Sequence, residues 1–282
     1  VTRPALGLAI TGVGLWTRGL TSFVEFSAAR KSGFADLDAS EFKLPRPASL
    51  PARERRRAGL MISLGVEVAH QACEVAGVPK DAVPSVFASA LGDTAVTDYM
   101  CRRLAQPAKV LSPTKFHNSV HNAASGYWTI SARNRSPSTF VSGFLESFGA
   151  GLLEAASQSV AARGPVLFVA CDIATKPPLT AVADVRQTLG AAFVLEPEDG
   201  VAPDRPCLRA EIRFRTGALR TTPLPDGLDW LGQANPMGCA LTLADRLAAS
   251  EGEPSRHGLL CFAAGPRCGV ELRLEGGRGW RA

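Results

Sequence analysis

The chain has 282 residues, 46% of them hydrophobic, enough for one large domain or two small ones around a substantial buried core. Mean hydropathy is only +0.06, and each apolar run is broken by Gly, Pro or charge before it could cross a bilayer, which excludes a membrane-spanning helix. A net charge of +5 and a pI near 9.0 could suggest a nucleic-acid partner, but the arginines are dispersed and no basic-aromatic motif appears; an acidic protein partner explains the mild excess equally well.

The first residues, VTRPALGLAITGVGLW, lack a sustained apolar stretch ending in a small-residue cleavage site and do not read as a signal peptide. The cysteines at 73, 101, 171, 207, 239, 261 and 268 form no Cys-x-x-Cys pair and have no His at zinc spacing. Reduced, mostly structural thiols in a cytoplasmic protein are expected, with no metal and no cofactor.

Leu6 to Gly14 reads as a first strand, punctuated at its end by glycine. The stretch to Pro51, with Lys43, Pro45, Arg46 and Pro47, is too irregular for a long element. A helix is predicted over Arg53 to Ala76, where Leu60, Leu64, Val68, Ala72 and Val75 form one apolar stripe and Gly77 ends the run. Glu67, His70, Gln71 and Glu74 lie opposite, so His70 is expected to face solvent. At the start of that helix Arg53, Arg55, Arg56 and Arg57 oppose its dipole, and are either a docking patch or a solvated face balanced by local acids.

Val86 to Ala90 makes a short buried strand, Gly92-Asp93 a turn and Thr94 to Gln106 a helix, which is α/β alternation. A helix from Ser119 to Ala132, a turn at Ser136-Pro137, a strand from Thr139 to Gly143 and a helix from Glu146 follow. A strand running straight into a helix N-terminus commonly presents a reactive group, because unpaired N–H groups there stabilise negative charge. Further on, Pro165 to Cys171 suits the middle of a sheet and Leu189 to Glu196 is another strand. A strand near Leu208 to Phe214, a Pro/Gly-rich loop to Pro236, a helix from Met237 to Ala249 and strands Gly258 to Ala263 and Gly269 to Leu274 complete the chain.

The stretch LSPTKFHNSVHNAASGYWTISARNRSPSTFVSGFLESFGAGLLEA, Leu111 to Ala155, resembles the core of the β-ketoacyl synthases, whose fold is thiolase-like. In that family an Asn-x-x-x-Gly helix leads to a Gly-Pro-Ser turn, a strand and Thr-Ala-Cys, the Cys opening a helix. Asn122 and Gly126 match the helix, and Ser136-Pro137-Ser138 matches the turn with Ser for Gly. Counted on from Ser138, the nucleophile position is Leu145, which cannot supply the thiolate that carries an acyl chain as thioester. Gly143 and Phe144 replace the Thr-Ala pair and Phe148 adds bulk, so the resemblance implies a pocket filled by Phe144, Leu145 and Phe148. A register one residue later would put Glu146 there, where an acid equally suits an ordinary first helical turn.

Lys176-Pro177-Pro178-Leu179 resembles the family's Thr-Pro-Leu-like segment, and Leu189 to Glu196 the strand closing its first half. Beyond residue 200 neither the His-Gly-Thr-Gly-Thr loop nor the Gly-His pair exists, and His257 is the sole second-half histidine. The fold implied is α/β, a single thiolase-like layered domain over 1–282. Residues 1–200 form a complete ketosynthase-like half, and 201–282 a shortened second half ending in a β-hairpin.

By the same resemblance the chain is a catalytically incomplete, chain-length-factor-like subunit without independent activity. It would partner an active β-ketoacyl synthase as a heterodimer, or itself as a homodimer, in polyketide or fatty-acid-type elongation. The segment SPTKFHNSVHNAASGYW looks most like the short subfamily of aryl polyene clusters. The edge Thr139, Phe140, Val141, Ser142, Gly143 would pair across the dimer axis, and Phe116 would reach into the partner's pocket. His117 and His121 would serve the interface or cap a helix, and Arg53, Arg55, Arg56 and Arg57 would dock acyl carrier protein. Two rivals stand beside this reading. One is an acyltransferase or thioesterase using Ser142, Ser147 or Cys171, though no His is placed to serve as base; the other is a homodimeric carrier-protein scaffold.

Overall fold

A computed structural model describes residues 5–34, 37, 42–202, 205–232, 235–249 and 258–278. Eight strands form one sheet: β1 (Leu6–Thr17), β2 (Ser85–Ala88), β3 (Ser138–Val141), β4 (Val166–Asp172), β5 (Leu189–Pro197), β6 (Cys207–Thr216), β7 (Gly258–Gly265) and β8 (Cys268–Arg278). Their order is β3-β2-β4-β5-β1-β6-β8-β7. β2 runs parallel to β3 and β4, and all other neighbours are antiparallel. The helices among the described residues are α1 (Phe23–Lys31), α2 (Ala52–Arg57), α3 (Leu60–Ala76), α4 (Thr94–Leu104), α5 (Pro113–His117), α6 (Ala123–Ala132), α7 (Ser147–Ala162), α8 (Asp229–Gly232) and α9 (Cys239–Ala249).

The sheet is covered on both faces, and the central strands show it by burying every residue. Along β4, Val166, Phe168 and Ala170 join one core with Phe148 of α7 and Leu243 of α9. Leu167, Val169 and Cys171 join the other, with Leu64 and Val68 of α3 and Trp128 of α6. This is the period-2 division of a strand between two apolar faces, giving a helix–sheet–helix layering.

β1 runs three residues past the expected stop at Gly14. A Cβ on Gly12 would lie 2.2 Å from the Ala72 carbonyl oxygen, and one on Gly14 2.2 Å from that of Val68. These glycines therefore let α3 sit directly on the strand and do not end it. α1 occupies part of the stretch read as irregular. Ser22 Oγ accepts from Glu25 N–H at 3.2 Å and Glu25 Oε2 accepts from Thr21 N–H at 2.6 Å, a reciprocal cap over the first turn.

The long helix expected over Arg53 to Ala76 is two helices. Ala58 (ψ 128°) and Gly59 (ψ 178°) are extended and separate α2 from α3. Arg55, Arg56 and Arg57 consequently occupy the last turn of α2, where cations complement the dipole, reversing the expected penalty. His70 is half-buried, not solvent-facing: its Nε2 lies 2.9 Å from Ser131 Oγ and its ring stands edge-on to Trp128 at 5.1 Å. Burial, with help from Lys80, pulls its pKa down to about 4. Val75, assigned to the apolar stripe, is 51% exposed. The helix expected from Ser119 begins at Ala123, and β3 stops at Val141, leaving Ser142 and Gly143 beyond the strand.

Candidate functional site

β3 hands over to α7 through a short 3-10 turn, Phe144–Glu146. The sharp bend is at Phe144, whose φ is +53°, an uncommon conformation for a bulky side chain. Ser147 holds it: its Oγ accepts from Gly143 N–H at 2.9 Å and has the carbonyls of Phe144 (2.7 Å) and Ser89 (3.3 Å) within reach of its proton. Phe144 and Leu145 emerge 52% and 60% exposed, and Glu146 is half-buried. Phe148, the second residue of α7, points the other way. It is fully buried against Phe168, Phe193 and Phe262, so it belongs to the core under the junction.

Phe144 and Leu145 line a cavity of about 320 Å³ with Leu91, Val182, Val185, Asp184 and Asn235. Its polar side chains are already engaged. Asn235 donates through Nδ2 to the carbonyls of Asp172 (3.1 Å) and Gln187 (2.8 Å), and its Oδ1 accepts from Met237 N–H at 2.8 Å. Asp184 pairs with Arg186 at 2.8 Å.

Behind the cavity, at the end of β4, lies Asp172, fully buried. It accepts from Ser89 Oγ (2.5 Å), Ala90 N–H (3.0 Å) and Leu91 N–H (3.3 Å). Desolvation outweighs these bonds and pushes its carboxyl up to about 6. Asp172 thus fixes the Leu91 wall through its carboxylate, the Asn235 wall through its backbone carbonyl, and the Phe144 turn through Ser89 and Ser147. Asp172, Ser89 and Asn235 escaped sequence reasoning. The available signal was a carboxylate ending an otherwise wholly apolar strand.

Phe116 is 61% exposed. His117 Nδ1 lies 3.0 Å from Asn118 Oδ1, which also accepts from Tyr127 OH at 3.2 Å, while Asn118 Nδ2 donates to the Arg57 carbonyl at 2.9 Å. Asn118 therefore ties α5 and α6 to the C-terminus of α2. His121 stacks edge-on over Phe140 at 4.1 Å, and burial lowers its pKa. Thr139 Oγ1 accepts from Gln158 Nε2 at 3.0 Å, and Val141 is half-buried. Arg57 reaches Glu54 at 4.0 Å, whereas Arg53, Arg55 and Arg56 are exposed with no ion pair among the described residues.

The two ends of the sheet differ. At β7, Thr222 N–H donates to the Cys261 carbonyl (2.8 Å), and Thr222 Oγ1 and Thr221 Oγ1 accept from Cys261 and Ala263 N–H (2.7 and 3.1 Å). At β3, Ser89 N–H donates to Val141 and Ser85 N–H to Pro137, so odd-numbered residues face β2. Ser138 and Phe140 turn their N–H and C=O outward, and no partner covers them among the described residues.

No nucleophile–base pair forms among the described residues. Ser147 is spent on the turn; Ser142, exposed, reaches only the Ala90 carbonyl at 3.4 Å. Cys171 is fully buried, which pushes its thiol far up and away from the thiolate. His257 lies outside the described residues.

The description "Beta-ketoacyl synthase, N-terminal domain" matches residues 31–234. The chain is similar to a chain in the structure of the ketosynthase ApeO in complex with its chain length factor ApeC from Xenorhabdus doucetiae, at 25% identity and a TM-score of 0.67, covering 95% of this chain and 99% of that one. It has the fold of the ishigamide ketosynthase/chain length factor, at 15% identity, a TM-score of 0.68 and the same coverages. It also has that of the AntDE:AntF complex, a type II acyl-carrier protein with its ketosynthase, at 11% identity, a TM-score of 0.67 and coverages of 96% and 99%. No curated protein matches the chain. With more than two thirds of its length matched and with the layered α/β sheet of thiolase-like ketosynthases, the chain belongs to the β-ketoacyl synthase N-terminal domain family.

Proposed function

We propose that this chain is a catalytically incomplete ketosynthase-like subunit, a chain-length-factor-like partner of an active β-ketoacyl synthase in polyketide or fatty-acid-type elongation, with aryl polyenes as the product class. The observation that carries the reading is the junction cavity. Where the family's chemistry calls for a thiolate stands Leu145, next to the αL Phe144, and the facing wall offers Asn235 with its amide committed to backbone. A leucine, a phenylalanine and a saturated amide supply neither nucleophile nor base.

The uncovered edge at β3 supports a partner subunit, because an edge with outward N–H and C=O groups adds a strand readily. Phe116, His117 and His121 would flank that contact, along with Thr139 to Gly143. The solved neighbours include ketosynthases with their chain length factors, which favours an active ketosynthase over a second copy as the partner. The exposed cations Arg53, Arg55, Arg56 and Arg57 on α2 suit an acidic acyl carrier protein, steered by charge.

Labelling with an acyl-thioester analogue, on the chain alone and with its ketosynthase, tests the missing nucleophile. All label is expected on the ketosynthase. Stoichiometric label on Ser142, Ser147 or Cys171 would instead restore the acyltransferase or thioesterase reading.

A further inference from the structure

We propose that Asn118 is a positioning residue: it holds the arginine face of α2 in place for an acyl carrier protein and ties that face to α5, the helix that carries Phe116. The inference rests on the carrier-docking reading of α2 and adds to it the residue on which docking depends.

α2 cannot hold its own place. It is six residues long, ARERRR, too short to be stable alone, and none of its side chains is buried. Arg53, Arg56 and Arg57 stand one helical turn apart and repel along one face, offset only by Glu54 at 4.0 Å from Arg57. α3 lends it no rigidity, because Ala58 and Gly59 between the two helices are extended. Among the described residues, one hydrogen bond reaches α2 from another element: Asn118 Nδ2 donates to the Arg57 carbonyl at 2.9 Å.

Asn118 is only 3% exposed, and it ends two helices at once. Its side chain satisfies a final carbonyl of α2, while its backbone N–H donates to the Thr114 carbonyl at 3.0 Å and closes α5. Its Oδ1 accepts from Tyr127 OH of α6 at 3.2 Å. Three helices thus meet on one buried amide, whose hydrogen bonds fix angle as well as distance where apolar packing would let a surface helix slide. The arginine face and the exposed Phe116 are held in one frame.

The test uses the complex with a ketosynthase from the same gene cluster. It compares Tyr127→Phe, which leaves the tie to α2, with Tyr127→Phe plus Asn118→Leu, which removes the tie at similar volume and strands no buried hydroxyl. Elongation is followed against the concentration of malonyl-loaded carrier protein, with complex mass and melting temperature measured alongside. Losing the tie is expected to raise KM for the carrier protein about tenfold and to leave kcat within about twofold, because docking is disturbed and the chemistry is not. Adding Arg56→Ala should raise KM in the Tyr127→Phe complex but have much less effect once Asn118 is replaced, since both act through one face. An unchanged KM without Asn118, or Arg56→Ala effects that simply add to a matching loss of kcat and melting temperature, would overturn the proposal. A KM that ignores Arg56 in the Tyr127→Phe complex would overturn the carrier-docking reading as well.

Discussion

Asp172 holds three walls of the junction cavity from behind, the Asn235 wall through its backbone carbonyl and the other two through its carboxylate, whose burial makes those two depend on protonation. Its carboxyl is raised from the ordinary 3.8 to about 6, so the folded chain keeps the proton to higher pH than the unfolded one. The stability this provides is full below the ordinary value and is lost as pH rises through about 6. Relative to Asp172→Asn, the parent should therefore lose stability between those two values in urea titrations and run parallel above them. A gap that widens in the parent's favour as pH rises would contradict the burial argument. His70 acts in the opposite sense: depressed from 6.5 to about 4 by burial and Lys80, with Glu74 opposing, it costs stability as pH falls through that window. Only comparison with the Asp172 variant separates the two slopes. That Leu145 falls in the turn from β3 into α7 was legible in the sequence, because the contiguous stretch from Ser136 onward spells out strand, turn and helix. Asp172 and Asn235 were not, since Asp172 meets Ala90 across 82 residues and Asn235 meets Asp172 across 63.

The elements around the junction show which apolar side chains support the fold and which are left for something else. Phe148→Ala should cost about 3–5 kcal/mol by emptying an aromatic cluster, whereas Leu145→Ala should stay within about 0.5 kcal/mol in the free chain, both by urea unfolding. Equal costs would mean that Leu145 is core. Gly14→Ala should destabilise by about 1–3 kcal/mol or more, because the new methyl meets the Val68 carbonyl of α3 and neither backbone can yield cheaply. Strand positions were readable where both faces are buried, as in Val166 to Cys171, since such strands become continuous apolar runs. The break at Gly59 was hidden because the apolar stripe of α3 gives no sign of where its helix begins. α1 was hidden by its irregular surroundings, although Ser22 and Glu25 carried a legible capping signal.

At the scale of the whole molecule, one end of the sheet is closed by Thr221 and Thr222, and the other, at β3, is uncovered among the described residues. The order of strands could not be read from the sequence, because β1 pairs with β5 and β6, both far along the chain. Amides of Ser138 and Phe140 should exchange rapidly in the lone chain and become protected with a ketosynthase bound, while the β7 edge should stay unchanged. Protection at β7 instead would place the contact at the wrong end of the sheet. The most direct measurement is purification with and without a ketosynthase from the same gene cluster, following complex mass and chain extension from malonyl-loaded carrier protein. A chain-length-factor-like subunit gives a stable heterodimer that extends chains only when both proteins are present. A homodimer that turns over an acyl thioester on its own would contradict it, and would require a nucleophile that Leu145 cannot provide.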